Sequence, residues 1–322
     1  MKKIYLLSWI LACSAGCERV SEYAGALPEL QLVLYSFIQP DSMVRVEARM
    51  TRHFSDPSGK LPEDLSGEVH VNGQLAGALR PSPGLAPDRH EAAVFPSPGD
   101  RVRVVARAAG LREASAEVTL PLEGATIRVD TTLVGPADKL ERARYAIHVD
   151  DDGRERRYYR LVIETETETV VDGVSLGVGS GNVTYDFNPE NDPLLVGGNS
   201  TWLHEEIVPN RYHVFTNEGF GAGGYTLRVS AATRNSTRME YEIGGQRVVQ
   251  RDIVRQRVRL ARIDEATYLH LKSIMLFEMD EGIMEPVQVY TNVRDGVGVV
   301  GYAWFSTVTF EMPEVLQGPI FY

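Results

Sequence analysis

Met43-Val44-Arg45-Val46-Glu47-Ala48-Arg49-Met50 alternates apolar and charged residues with barely a break. A period of two sends successive side chains to opposite faces, so the segment reads as a half-buried β-strand. The same pattern extends outward. Leu30 to Ile38 is rich in strand formers, and Asp41-Ser42 makes a turn between the two runs. Downstream, Glu68 to Val71, His90 to Phe95, Val102 to Ala108 and Ala114 to Leu120 are short strand-like runs. Proline and glycine clusters separate them, at Asp56-Pro57-Ser58-Gly59, Pro81-Ser82-Pro83-Gly84 and Pro96-Ser97-Pro98-Gly99-Asp100. Asn72-Gly73 is a two-residue hairpin signal, because both positions accept φ > 0. Short strands so punctuated predict an immunoglobulin-like β-sandwich over residues 29–122.

Pro121 to Gly124 marks the expected boundary, and residues 123–322 read as a larger β-sandwich or barrel-like domain. Strands are expected near Thr126 to Val129, Ala143 to Val149, Tyr158 to Ile163, Trp202 to Val208, Arg211 to Phe215 and Gly224 to Ala232. Further strands are expected at Met239 to Ile243, Val248 to Leu260, Val287 to Asn292 and Val297 to Phe310. Asp150-Asp151-Asp152-Gly153 reads as a solvated hairpin turn; it lacks the spaced oxygen ligands and distal glutamate of a calcium loop. Gly173 to Gly198 reads as a long glycine-rich loop, a kind usually functional or mobile. One helix stands out over 264–277. Asp264 can cap it, and Tyr268, Leu271, Ile274 and Met275 fall near one face. The fold class is therefore mainly all-β with a single helix in the C-terminal region.

Two charged rows lie in this second region. Glu164-Thr165-Glu166-Thr167-Glu168-Thr169 puts three carboxylates on one strand face, and Arg255-Gln256-Arg257-Val258-Arg259-Leu260 does the same with three guanidiniums. Two arrangements are open. The rows pair across neighbouring strands, or Arg255, Arg257 and Arg259 grip an anionic ligand. In the second case Tyr185, Trp202 and Tyr212, within and just after the glycine-rich stretch, would line the pocket.

The chain has 322 residues and a formal net charge of −11. An acidic surface repels nucleic acid and anionic headgroups, which excludes both as expected partners. The start is different in character: Lys2-Lys3, an apolar run from Ile4 to Ala12, then Cys13-Ser14-Ala15-Gly16-Cys17. That is a secretory signal peptide over 1–16, with an apolar run too short to span a bilayer. The small pair Ala15-Gly16 before Cys17 resembles a lipobox, so Cys17 is expected to carry lipid and residues 17–28 to form a tether. The only two cysteines, Cys13 and Cys17, lie here. The remaining chain has no disulfide, cysteine metal site or thiol nucleophile.

Catalytic motifs are lacking. His204-Glu205-Glu206 has no second histidine for a zinc-protease helix, and no Gly-x-Ser-x-Gly elbow occurs. Neither a cofactor nor a metal is expected, and the chain reads as a non-enzyme.

The order of several segments resembles a family of Gram-negative lipoproteins labelled domain of unknown function 4249. They are Cys17-Glu18-Arg19-Val20, Tyr158-Tyr159-Arg160-Leu161 after an acidic turn, and Phe215-Thr216-Asn217-Glu218 before Gly224-Tyr225-Thr226-Leu227. The C-terminal third adds Ile263 to Tyr268, Glu285-Pro286-Val287-Gln288-Val289-Tyr290-Thr291-Asn292-Val293 and Gly296 to Gly301. Where that family often carries aspartate after Phe-Ser/Thr, this chain has Asn217. The resemblance implies an outer-membrane lipoprotein, often encoded near TonB-dependent transporters. A binding or accessory role beside such a transporter is then expected. A structural or adhesive envelope role is the alternative, and no catalytic residues are implied.

Overall fold

The computed structural model describes residues 29–52, 64–84, 86–184, 186–196, 210–279 and 288–317. Cys17, the expected leader and tether, Tyr185, and the expected strand from Trp202 to Val208 lie outside them. The alternating N-terminal segments form β1 (Leu32–Ile38), β2 (Val44–Met50), β3 (Ser66–Val71), β4 (Gln74–Ala78), β5 (Arg80–Pro81), β6 (Arg89–Ala92), β7 (Arg101–Arg107) and β8 (Ala114–Thr119). Two sheets result, in the orders β1-β2-β6-β5 and β4-β3-β7-β8. Leu32, Leu34, Val44, Val46 and Ala48 from the first meet Val69, Val102, Val104, Ala116 and Val118 from the second. Asn72 and Gly73 turn the β3–β4 hairpin at φ of 52° and 82°. The turn is pinned from outside, because the Asn72 amide donates to Asp100 at 2.8 Å and accepts from the Arg101 N–H at 3.0 Å.

The rest of the chain forms β9 (Thr126–Val134), β10 (Arg142–Asp150), β11 (Tyr158–Val171), β12 (Val174–Thr184), the single turn α1 (Pro193–Val196), β13 (Val214–Thr216), β14 (Tyr225–Ala232), β15 (Ser236–Ile243), β16 (Gln246–Ile263), α2 (Glu265–Met279), β17 (Gly296–Glu311) and β18 (Glu314–Gln317). Sheet β14-β10-β9 covers one face of β11 and β16. Tyr145, Ile147, Leu227 and Val229 pack there against Tyr159, Leu161, Ile163, Val258 and Leu260. Helix α2 covers the other face near one end, where Tyr268, Leu271 and Met275 meet Tyr158, Val214, Ala261 and Ile263. Asp264 caps the helix as expected: its carboxylate accepts from the Thr267 hydroxyl at 2.5 Å and the Tyr302 N–H at 3.1 Å. Ile274 is only half-buried, at the margin of that face.

Strand β17 belongs to both regions. Gly296 to Tyr302 runs parallel to β1, and Ala303 to Glu311 runs antiparallel to β16. Val293, Val300 and Tyr302 therefore complete the N-terminal core from the far end of the chain. The linker near Pro121 to Gly124 does follow β8, but one sheet runs through both halves.

Three expectations need correction. Gly173 to Gly198 is not one long loop: β12 folds back on β11 through Asp172 and Gly173, at φ of 47° and 80°. Its alternation is broken by glycines, which is why it reads as loop, and its pairing with β11 shifts register after Glu166 and Glu168. Gln288 to Asn292 is not strand. The Asn292 side chain donates to the Val300 carbonyl at 2.8 Å and accepts the Val300 N–H at 3.0 Å, doing a ladder partner's work with an amide.

Asp150 to Gly153 is not a hairpin turn. β10 pairs with β9 and β14, whereas β11 pairs with β12, β13 and β16, so the acidic segment crosses from one sheet to the other. Asp151 is not solvated either, being 3% exposed. Its carboxylate accepts the Tyr159 hydroxyl, the Asn217 amide at 3.1 Å and the Gly153 N–H at 2.9 Å. Asn217 in turn donates to the Glu155 carbonyl at 2.6 Å and accepts the Arg157 N–H at 2.9 Å. An amide suits this position because it must both donate and accept. An ionised aspartate there would face Asp151 with like charge.

Candidate functional site

The two charged rows meet. β11 and β16 are antiparallel neighbours with Glu164 opposite Arg257 and Glu166 opposite Arg255. Each arginine reaches a carboxylate on the diagonal: Arg255 bonds Glu168 at 2.5 Å, Arg257 bonds Glu166 at 2.8 Å, and Arg259 bonds Glu164. Arg255 also lies 3.4 Å from Glu311 of β17, and the Arg259 guanidinium sits 4.1 Å over the Phe305 ring. The Ser175 hydroxyl, then Arg255, holds the Glu168 carboxyl below the usual range; Glu168 in return raises Arg255. All three guanidiniums of the expected anion site thus have carboxylate partners within the protein. Cross-strand pairing of opposite charges is what a sheet face of this pattern favours.

Of the aromatics expected to line that site, Tyr185 and Trp202 lie outside the described residues. Tyr212 stands elsewhere, beside α2, where its hydroxyl donates to Glu278 at 3.1 Å. Burial, then Glu278, raises its pKa. The structure does not bring Tyr212 to the arginine row.

A concavity opens instead on the N-terminal sheet, where β1, β2 and β6 present their outer faces. It is an open cleft of about 250 Å³, lined among others by Tyr35, Phe37, Arg45, Glu47, Ser82 and Arg89. Strand register builds it: Tyr35 lies opposite Glu47, which lies opposite Arg89. Phe37 leaves 43% of its surface to solvent. Burial, then Glu47, raises the Tyr35 phenol, with Arg49 opposing. Ser82 is 7% exposed and its hydroxyl has no hydrogen-bond partner. Buried hydroxyls are normally paired, so the cleft contains one unused polar group beside two guanidiniums, a carboxylate and two rings. Those properties suit a small polar ligand with an apolar face. The alternation of Val44 to Met50 gives the outward direction of Arg45 and Glu47. What the sequence could not give was the neighbourhood, because Ser82 and Arg89 arrive from another hairpin.

Among the described residues no three or more His, Cys, Asp or Glu side chains gather as a metal set, and no helix is long and apolar enough to cross a membrane.

No curated protein matches the chain. The family model described as a domain of unknown function (DUF4249) matches residues 20–310, nearly the whole length, and the chain belongs to that family.

Proposed function

We propose that this protein is an outer-membrane lipoprotein anchored through Cys17. In this reading it serves as a non-catalytic binding or accessory component of a TonB-dependent nutrient transporter and holds a small polar ligand in the Tyr35–Ser82 cleft. The observation that carries the binding role is that cleft, with the unpartnered Ser82 hydroxyl among mixed charged and aromatic walls. The anchor rests on Ala15-Gly16-Cys17 after a short apolar run. Several acyl chains on one cysteine would hold the protein stably at a bilayer.

Two experiments test the proposal. Cys17→Ala should release the protein from the membrane pellet and abolish lipid labelling; retention with label intact rejects Cys17 as the anchor. Affinity purification from detergent-solubilised outer membranes should co-isolate a β-barrel transporter, and Tyr35→Ala with Arg45→Ala should impair uptake while leaving that association intact. Uptake unaffected by the double substitution removes the cleft from function.

The second reading is a structural or adhesive envelope protein without a small ligand. The neutralised arginine row favours it, since that face offers no free guanidinium among Arg255, Arg257 and Arg259. Cells whose envelope integrity fails while uptake persists would support it.

A further inference from the structure

Arg160 contrasts with the arginines of the row. It lies in β11 between Val214 of β13 and Ala261 of β16, on the face shared with Glu164, Glu166 and Glu168. Its Nε is buried and has no hydrogen-bond partner. No carboxylate among the described residues comes within ion-pair distance of its guanidinium. The contact that it does make is with Tyr212, whose ring centroid lies 5.9 Å from the guanidinium carbon. Burial lowers its pKa, with only Tyr212 opposing. A guanidinium partly withdrawn from water without an anion is costly, which is why arginines so placed normally carry a partner.

The surrounding backbone is held to shape. Asn210 brackets Val214 with both ends of its amide, donating to the carbonyl at 2.8 Å and accepting the N–H at 3.0 Å. Between them His213 is fixed at φ of 50°, a left-handed conformation uncommon outside glycine, though histidine takes it more readily than most residues. Its N–H donates to the Asn210 carbonyl at 3.0 Å, and its own carbonyl accepts the Leu161 N–H at 3.1 Å. The imidazole packs on Phe187, with ring centroids 4.0 Å apart. Backbone strain of this kind persists where the surroundings over-determine it. Here the result is that Tyr212 stands over Arg160, with His213 next to it in the chain. All three keep part of their surface open to solvent, so a ligand can reach them.

We propose that Arg160, with Tyr212 over its guanidinium, forms a binding site for a small oxyanion, the carboxylate or phosphate group of a soluble ligand. The planar fork of the guanidinium matches two oxygens of either group. The Tyr212 ring covers one side of the guanidinium. His213 stays neutral near pH 7, because burial and then Arg160 push its pKa down to about 4 against the opposing pull of Asp186. It therefore adds no second charge near Arg160. The site is separate from the Tyr35–Ser82 cleft and stands whether or not the protein serves a transporter.

The test follows thermal unfolding of the purified full chain, titrated with inorganic phosphate or with acetate at constant ionic strength in sodium chloride. The expected result is a saturable rise of the midpoint. A response to phosphate alone identifies a phosphoryl ligand and a response to acetate alone a carboxylate; either supports the site, as does a response to both. Arg160→Met should abolish the response. Arg160→Lys should raise the half-saturating concentration about tenfold, since it keeps the charge but loses the fork. No saturable response to either anion, or the same response in Arg160→Met, overturns the proposal. If Arg160→Met does not fold, the lysine variant decides: an unchanged half-saturating concentration overturns it as well.

Discussion

Removing Arg257 should cost more than removing its partner Glu166. The pair is joined at 2.8 Å, and the two side chains are unequally sheltered: Arg257 is 41% exposed, Glu166 only 7%. In Glu166→Ala the guanidinium keeps access to water and to Glu164, whose carboxylate lies 3.9 Å away. In Arg257→Ala the Glu166 carboxylate stays largely buried without its direct partner. At an effective dielectric near 20, opposite charges about 4 Å apart attract by roughly 4 kcal/mol before desolvation and side-chain ordering are subtracted. Fully exposed pairs retain about 0.2–1 kcal/mol of this, and stripping one partner from a buried pair costs about 3–5 kcal/mol. A half-sheltered pair falls between. Arg257→Ala is therefore expected to destabilise by about 2 kcal/mol, Glu166→Ala by about 1 kcal/mol, and the coupling should be about 1 kcal/mol.

Urea unfolding of the wild type, both single variants and the double variant measures all three quantities, provided the m-values agree. At high salt the coupling should shrink by less than an exposed pair's would, because Glu166 is poorly reached by counter-ions. A coupling below about 0.3 kcal/mol, or a larger loss for Glu166→Ala than for Arg257→Ala, would refute the reasoning. Unchanged stability of Arg257→Ala together with lost binding of an anionic nutrient would return the row to candidacy as a site.

Three further outcomes are expected. Tyr159→Phe removes the hydroxyl that donates to buried Asp151 and should cost about 1.5–3 kcal/mol in urea unfolding; a loss under ~0.5 kcal/mol would show that the other donors suffice. Because the His213 pKa falls from 6.5 to about 4 on folding, the unfolded chain takes up a proton that the native state refuses. Stability is then unpenalised above pH 6.5 and falls as the pH drops toward 4, by about 2–3 kcal/mol allowing for partial exposure. His213→Asn, which tolerates the left-handed backbone, should flatten that part of the profile, and an unaltered slope would contradict the assignment. Gly301→Ala would place a Cβ against the Thr267 hydroxyl and the Asp264 carboxylate that cap α2. A loss of about 3 kcal/mol or more is expected from calorimetry, with wild-type stability as the refuting result.

Local order was legible wherever a period of two ran unbroken. Val44 to Met50 and Ala143 to Val149 gave their strands, and Asn72-Gly73 gave its hairpin, because the turn type dictates the residues. Legibility failed where the determining partner is far along the chain. Nothing within Gly296 to Gly301 says that it will run parallel to Leu32 to Phe37. Nothing in Asp150 to Gly153 says that its flanking strands will join different sheets, since a turn signal does not specify pairing. β12 failed for another reason: Gly177, Gly179 and Gly181 supply no side chains to alternate.

The candidate sites divide along the same line. The two charged rows announced themselves by repetition, and repetition is also what lets them pair rung by rung along two neighbouring strands. A row of identical charges is well suited to meeting its complement within the sheet, and so is poorly suited to staying open for a ligand. A single charge has no such complement assured. In Tyr158-Tyr159-Arg160-Leu161, strand parity sends Tyr159 and Leu161 into the core, and Tyr158 and Arg160 to the face that α2 partly covers. Tyr159 meets a carboxylate there that was built for it, Asp151. Arg160, on the opposite face, meets an aromatic ring and no carboxylate among the described residues. Four consecutive residues thus provide both a closed polar latch and a cation with no anion among the described residues. The difference between them lies in which face each side chain takes and in what the distant segments at Asp151 and Asn210 to Val214 bring to it.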